Sequence, residues 1–311
     1  MTLLKNLASA SKEEVSEFIN SFDHVLFDID GCLLLGGIVV STADTCVSKL
    51  RKLGKRIAAV TNNSILPPKN IEMLLAPFDI KWDRVVTPAM GILSYLKRVK
   101  FSRRLYVIGS TNFRESLKKE GFDIVDFGTE NLEETMSAVM KHIGQIAATS
   151  NVGAVVLEMD INFTFAQAVQ AIVLLKTYKD IELITGMKDI SLPLAKEFTV
   201  LGSGFYIDAI ESITQRTESI TRFAKPSAKL ADVANEKFHI TDRSRVLFVG
   251  DSIESDMGFA HNAGYKKLLV LTGNTKEKDI INWQYPESHK PDYYIESVGD
   301  FGELLTKFNF A

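Results

Sequence analysis

A chain of 311 residues, 46% hydrophobic and 24% charged, is long and apolar enough to bury a core in each of about two domains at roughly 150 residues apiece. That composition excludes a mainly disordered chain. The 36 basic residues face 39 acidic ones for a net charge of −3, so no basic excess points to a nucleic-acid or anionic-membrane binder. The two cysteines, Cys32 and Cys46, make neither a disulfide scaffold nor a zinc-ligand cluster. No apolar run reaches membrane-spanning length, and the opening residues carry charge too early for a signal peptide. The sequence therefore reads as a cytoplasmic protein.

In chain order, Leu3, Leu4 and Leu7, then Val15 and Phe18, fit a short amphipathic helix. HVLFDID (24–30) is an apolar run ending in acids, the pattern of a buried parallel strand whose carboxyl end opens onto a site. Residues 42–53 put Ala43, Cys46, Val47, Leu50 and Leu53 on one helix face, stopped by Gly54. RIAAVTNN (56–63) is the next strand, and Pro67-Pro68 opens a helix. RLYVIGS (104–110) and GAVVLEMD (153–160) read as strands, and TFAQAVQAIVLLKT (164–177) as a helix. Pro226 starts a helix reaching about Phe238. RVLFVGD (245–251) is again a strand ending in an acid. Met257–Asn262 is helical until Gly264, KLLVLTG (267–273) is a strand, and Tyr293-Tyr294-Ile295 offers one more. This alternation predicts a doubly wound α/β core, a parallel sheet with helices on both faces. The middle has strands and helices of its own and no linker at either end. The reading is a discontinuous core of 1–102 and 219–311, with an α/β domain, 103–218, inserted into one of its loops.

Asp28 and Asp30 sit two apart at a strand end and can address one crevice. Thr61-Asn62-Asn63-Ser64 ends the next strand, Lys225 precedes a helix start, and Asp251 ends a later strand with Asp256 shortly after. Singly these read as turn, surface or capping residues. Together they suit phosphoryl transfer through an aspartyl-phosphate. Mg²⁺ on oxygen ligands would offset the repulsion between carboxylate and phosphate. Lys225 and the Thr61 and Asn62 donors would stabilise charge on the phosphoryl oxygens, while a second aspartate moves protons. Two alternatives stand beside this enzyme. One is a phospho-accepting signalling module, which needs an adjacent acidic pair near its start and only one domain's length. The other is a catalytically inactive binding protein on the same fold. A P-loop kinase is excluded because no GxxxxGK[ST] occurs.

FDIDG (27–31), VTNNS (60–64), Lys225-Pro226 and VGDSIESD (249–256) resemble, in order and spacing, the four motifs of the haloacid dehalogenase-like (HAD) phosphohydrolase superfamily. The branch they resemble carries a C2-type cap and includes 4-nitrophenylphosphatase, phosphoglycolate phosphatase and pyridoxal phosphatase. LEMDINFTFAQAVQAI, LGSGFYIDAIESIT and AHNAG extend the likeness across nearly all of 20–275. The resemblance implies a Rossmann-like HAD core with an inserted C2 cap, and a Mg²⁺-dependent phosphomonoesterase acting on a small phosphate ester. It implies Asp28 as nucleophile, Asp30 as general acid/base, and Thr61, Asn62 and Lys225 as phosphate ligands. Mg²⁺ would be held by Asp28, Asp251 and the Asp30 carbonyl, with Asp256 in support. A homodimer is implied as well.

The cap loops depart from the branch at Thr185-Gly186-Met187-Lys188-Asp189 and at Gly202-Ser203-Gly204, which Phe205 and Tyr206 follow. Met187, Lys188, Asp189, Phe205 and Tyr206 are thereby the candidate specificity residues. Met187, Ile190, Leu192, Phe205 and Tyr206 predict a preference for an apolar leaving group over a carboxylate, which an inward Lys188 would reverse. Cys32, close to Asp28, is either a redox-sensitive thiol or an inert buried one.

Overall fold

The computed structural model describes residues 4–127, 132–195, 198–216 and 220–310. Six parallel strands form the core sheet in the order Tyr293–Ile295, Lys266–Val270, Val246–Gly250, His24–Phe27, Arg56–Val60, Val85–Val86. The central strands are buried along their length apart from Arg56, as expected of a parallel sheet covered on both faces. On one face Phe22, Leu33, Val47, Leu50, Phe78 and Phe301 pack together; on the other, Leu230, Ala234, Phe238 and Phe259. The register sets Phe27 beside both Ala59 and Val249. The residues that follow these three strands therefore emerge together at one edge.

Strands stop earlier than the apolar runs suggest, because the chain turns away where the acids begin. Ser227, not Pro226, caps the next helix, accepting the Lys229 N–H ahead of Ala228–Phe238. The amphipathic start resolves into a 3₁₀ turn, Leu7–Ser9, and a helix, Lys12–Asn20, whose Ser11–Glu14 capping box fixes its first turn; Leu3 lies outside the described residues. A last helix, Val298–Lys307, lays Gly302 against Cys46 of helix Ala43–Lys52.

A second parallel sheet runs Ile220–Arg222, Glu182–Thr185, Val152–Leu157, Arg104–Ile108, Ile124–Val125. Its outer strand Ile220–Arg222 lies just past the expected boundary at 218. Helix Pro88–Arg98, ahead of the other boundary, sends Ile92 and Leu96 into the same cluster as Phe113, Val156 and Phe223. Tyr106, Leu157, Leu174, Ile207 and Ile210 fill the opposite face. An antiparallel hairpin, Ser191–Ala195 with Phe198–Leu201, lies in the chain between strands Glu182–Thr185 and Ile220–Arg222.

Candidate active site

Asp28 continues strand His24–Phe27, its N–H bonded to Val249 O at 2.8 Å. Its side chain is buried, and its Oδ1 accepts a short hydrogen bond from Lys225 Nζ. The same ammonium donates to Asp256 Oδ1 at 2.7 Å. Asp256 Oδ2 in turn accepts the N–H groups of Asp251 and Ser252, both at 3.0 Å. Both Asp256 oxygens are thus committed, and this residue braces the turn after Val246–Gly250. Asp251 Oδ2 is gripped by the backbone and side-chain amides of Asn274. Gly31, at φ +91°, lets the chain pass Asp251 where a Cβ would come within 2.6 Å of its carboxylate.

Burial, with Asp256 and Asp251 nearby, pushes the Asp28 carboxyl well up, and Lys225 acts against that rise. Burial and then Asp256 push Asp251 up to about 7. Burial would lower Lys225, but Asp256 and Asp28 outweigh it and hold the ammonium charged. Asp30 stands at the mouth of the site. Crowding on its protein side raises its carboxyl, opposed by Asn63 Nδ2 at 3.4 Å and by Lys225. Thr61 is buried at the end of Arg56–Val60 and accepts the Asn63 N–H at 3.0 Å. Asn62 Oδ1 accepts the Lys225 N–H at 2.9 Å, which ties the phosphate-loop candidate to the lysine.

One carboxylate oxygen from each of Asp28, Asp251 and Asp256 lies within 4.8 Å of the others. Three buried carboxylates against one ammonium leave negative charge that a small divalent cation would neutralise, and an all-oxygen set suits Mg²⁺. Asp28 and Asp251 fit that ion best, because Asp256 already satisfies Lys225 and two backbone amides.

The cap residues divide. Asp189 reaches the core, its Oδ2 3.4 Å from Asn62 Nδ2. A cleft of about 270 Å³ opens beside it, lined by Ile190, Ser252, Glu254, Asn274 and Tyr285 among others. The remaining specificity candidates are placed elsewhere. Met187 is buried inside the cap. Tyr206 is also buried, stacked on Phe163 at 4.2 Å with its hydroxyl bonded to Glu158 O. Phe205 packs edge-on against Phe163 at 5.6 Å. Lys188 is held by Asp208 at 2.7 Å and Glu211 at 2.8 Å. Met187 and Tyr206 thus pack inside the cap and Lys188 is ion-paired there, whereas Phe205 stays 41% exposed and Ile190, 60% exposed, lines the otherwise largely polar cleft beside Asp189. The Leu192 side chain lies outside the described residues. The structure adds Asn63, against Asp30, and Asn274, against Asp251, to the residues around the aspartates. Asn63 was visible inside VTNNS, but Asn274 follows a glycine at a strand end and looks like any turn residue.

A doubly wound core whose strand ends gather three aspartates and a lysine beneath an inserted domain is the architecture of a capped α/β hydrolase. Residues 25–123 match the family model for haloacid dehalogenase-like hydrolases, and 222–301 match a second, HAD-hydrolase-like model. The chain is 29% identical to 4-nitrophenylphosphatase of Schizosaccharomyces pombe, over 94% of this chain and 98% of that protein. It is 27% identical to the chloroplastic phosphoglycolate phosphatase 1A of Arabidopsis thaliana, over 95% and 80%. The crystal structure of a 4-nitrophenylphosphatase from Thermotoga maritima superposes with a TM-score of 0.75 at 25% identity, covering 92% of this chain and 98% of that one. The chain belongs to the haloacid dehalogenase-like hydrolases.

Proposed function

We propose that the protein is a Mg²⁺-dependent phosphomonoesterase that hydrolyses a small phosphate ester through an aspartyl-phosphate on Asp28. The observation that carries this reading is the Asp28 carboxylate held by Lys225 at the strand end, with Asp251 and Asp256 oxygens within 4.8 Å. The names of the relatives, phosphatases of 4-nitrophenyl phosphate and phosphoglycolate, support it.

Asp28 attacks phosphorus and the ester oxygen departs, taking its proton from Asp30. Asp30 then removes a proton from water, whose oxygen attacks the phosphorus of the acyl phosphate and frees Asp28 and inorganic phosphate. Lys225 sets positive charge against Asp28 and the phosphoryl oxygens, and Thr61 and Asn62 offer hydrogen bonds to the same oxygens. Asp28, Asp251 and the Asp30 carbonyl would hold Mg²⁺, which when bound offsets negative charge at the phosphoryl group. Asp30 suits its role because its raised carboxyl stays protonated further toward neutrality than a free one.

A homodimer belongs to this reading. Its support is apolar surface on the cap, where Ile161 and Phe165 are 73% and 71% exposed. Cytoplasmic residence belongs to it as well. No described helix is long and apolar enough to cross a membrane. The test is release of 4-nitrophenol from 4-nitrophenyl phosphate with Mg²⁺ and after exhaustive chelation. Metal-dependent turnover is expected; full activity without metal overturns the assignment.

A further inference from the structure

Glu158 follows strand Val152–Leu157 at the carboxyl end of the cap sheet and is 1% exposed. Its Oε2 accepts the Met187 N–H at 3.1 Å, at the head of the loop that carries Asp189. The carboxyl fills the space beside Gly186, where a Cβ would come within 1.1 Å of Oε2. From the core, the Ser64 hydroxyl next to Asn63 faces the same carboxyl, and Ser64 Oγ accepts the Ala89 N–H at 3.3 Å. Glu158 Oε1 has no hydrogen-bond partner of ordinary geometry among the described residues. An ionised carboxylate is costly in such a place, whereas the neutral acid can donate from that oxygen.

We propose that Glu158 is a positioning residue for the reaction, joining the cap loop at Met187 to the phosphate loop at Ser64, and that its neutral form holds the closed arrangement. The loop it fixes continues to Asp189, which meets Asn62, and Asn62 accepts the Lys225 N–H. Glu158 thus acts on the catalytic lysine and the phosphate loop without touching the reacting atoms. The charged group facing it is Asp189; the Met187 and Met159 N–H groups, the Ser64 hydroxyl and the titratable Tyr206 phenol, which donates to Glu158 O, are the polar ones. Burial, with Asp189 adding, raises Glu158 to about 7, against the pull of the Met187, Met159 and Ser64 donors. Above that pH a second, buried negative charge stands beside Asp189, and the loop loosens. The kinetic arm of the test rests on the phosphatase reading; an exchange arm does not.

The experiment uses the full chain as wild type, Glu158→Gln and Glu158→Ala. KM and kcat for 4-nitrophenyl phosphate with Mg²⁺ are measured between about pH 5.5 and 8.5. Hydrogen exchange of residues 187–190 is measured in the unliganded protein at equal pH. Wild-type KM is expected to climb about tenfold relative to E158Q toward the alkaline end, with kcat changing far less. E158A should keep a raised KM throughout. At the alkaline end the loop should exchange more slowly in E158Q than in wild type. Parallel KM curves for wild type and E158Q, or equal exchange in both, overturn the proposal. Should E158A fail to fold, the isosteric E158Q carries the test. A wild type idle on every phosphate ester removes the phosphatase reading, and the exchange arm still decides the role of Glu158.

Discussion

Asp28 and Glu158 are buried acids with opposite requirements. Asp28 must act as an anion and has Lys225 against it, whereas Glu158 meets no cation among the groups that face it. Replacing Asp28 by Asn keeps the shape and removes the nucleophile, so turnover of 4-nitrophenyl phosphate should fall by at least about a thousandfold while the circular dichroism spectrum is unchanged. Residual activity within about tenfold of wild type would reject Asp28 as nucleophile. Glu158 carries a stability consequence of its own. Its carboxyl rises from 4.5 to about 7 on folding, so between those values the folded chain binds more protons than the unfolded one. Its contribution is therefore fully present below about pH 4.5 and is lost as pH rises toward 7, a change of up to about 3 kcal/mol. E158Q cannot ionise. Its melting temperature should exceed that of wild type near pH 8, and the gap should close toward pH 5. A gap independent of pH would contradict the raised carboxyl. Cys32 resolves toward the inert alternative. It is fully buried, its Sγ donates to Val249 O at 3.5 Å, and burial pushes the thiol well up. Cys32→Ser should thus leave the peroxide sensitivity of the enzyme as it was.

The loop Met187–Ile190 has its shape imposed by the segment Gly202-Ser203-Gly204. Ser203 Oγ donates to Met187 O at 2.5 Å, Gly204 N to Asp189 O at 3.0 Å, and Gly202 N to Ile190 O at 2.8 Å. A Cβ on Gly204 would lie 2.4 Å from Lys188 O, so only glycine lets the two backbones meet. Gly204→Ala should push the loop outward and raise KM several-fold, with a stability loss of about 1–3 kcal/mol and helix Gly204–Thr214 retained. An unchanged KM would mean that the loop does not shape the site. This element also marks the limit of what the sequence discloses. Asp28, Thr61 and Asp251 were legible because each ends an apolar run, and parallel strands bring their carboxyl ends to one edge. The burial of Met187 and Tyr206 was not legible, because an apolar residue in a loop has the same spelling whether it faces a ligand or a core. Glu158 was invisible for a related reason: its role depends on Gly186 and Ser64, which reach it only through tertiary contact. Strand Ile220–Arg222 was not legible because it is too short to show a pattern until it pairs with Glu182–Thr185.

At the scale of the whole chain, the carboxylate cluster lies in the core while its cover belongs to the inserted domain, so two halves far apart in sequence share one site. The core alone holds the charge imbalance. Asp28, Asp251 and Asp256 are buried around a single ammonium, and burial, with Asp256 adding its charge, pushes Asp251 up to about 7. Folding with that cluster dry is costly, and a divalent cation that binds the folded chain and not the unfolded one recovers the loss by mass action. At a hundredfold excess over its dissociation constant the gain is about 2.7 kcal/mol. For a chain of this size that corresponds to a rise of several degrees in melting temperature. Mg²⁺ should therefore raise the melting temperature of wild type in proportion to the logarithm of its concentration. Asp251→Asn, which keeps the volume and removes one ligand charge, should flatten that dependence. Ca²⁺ separates binding from chemistry. It takes more oxygen ligands at longer distances and can engage both Asp28 oxygens, which leaves the nucleophile badly aimed. It should stabilise the fold as Mg²⁺ does yet suppress turnover when added to the Mg²⁺ enzyme. If Ca²⁺ supported full turnover, or if Mg²⁺ left the melting temperature of wild type unmoved, Asp28 and Asp251 would not hold the metal as assigned.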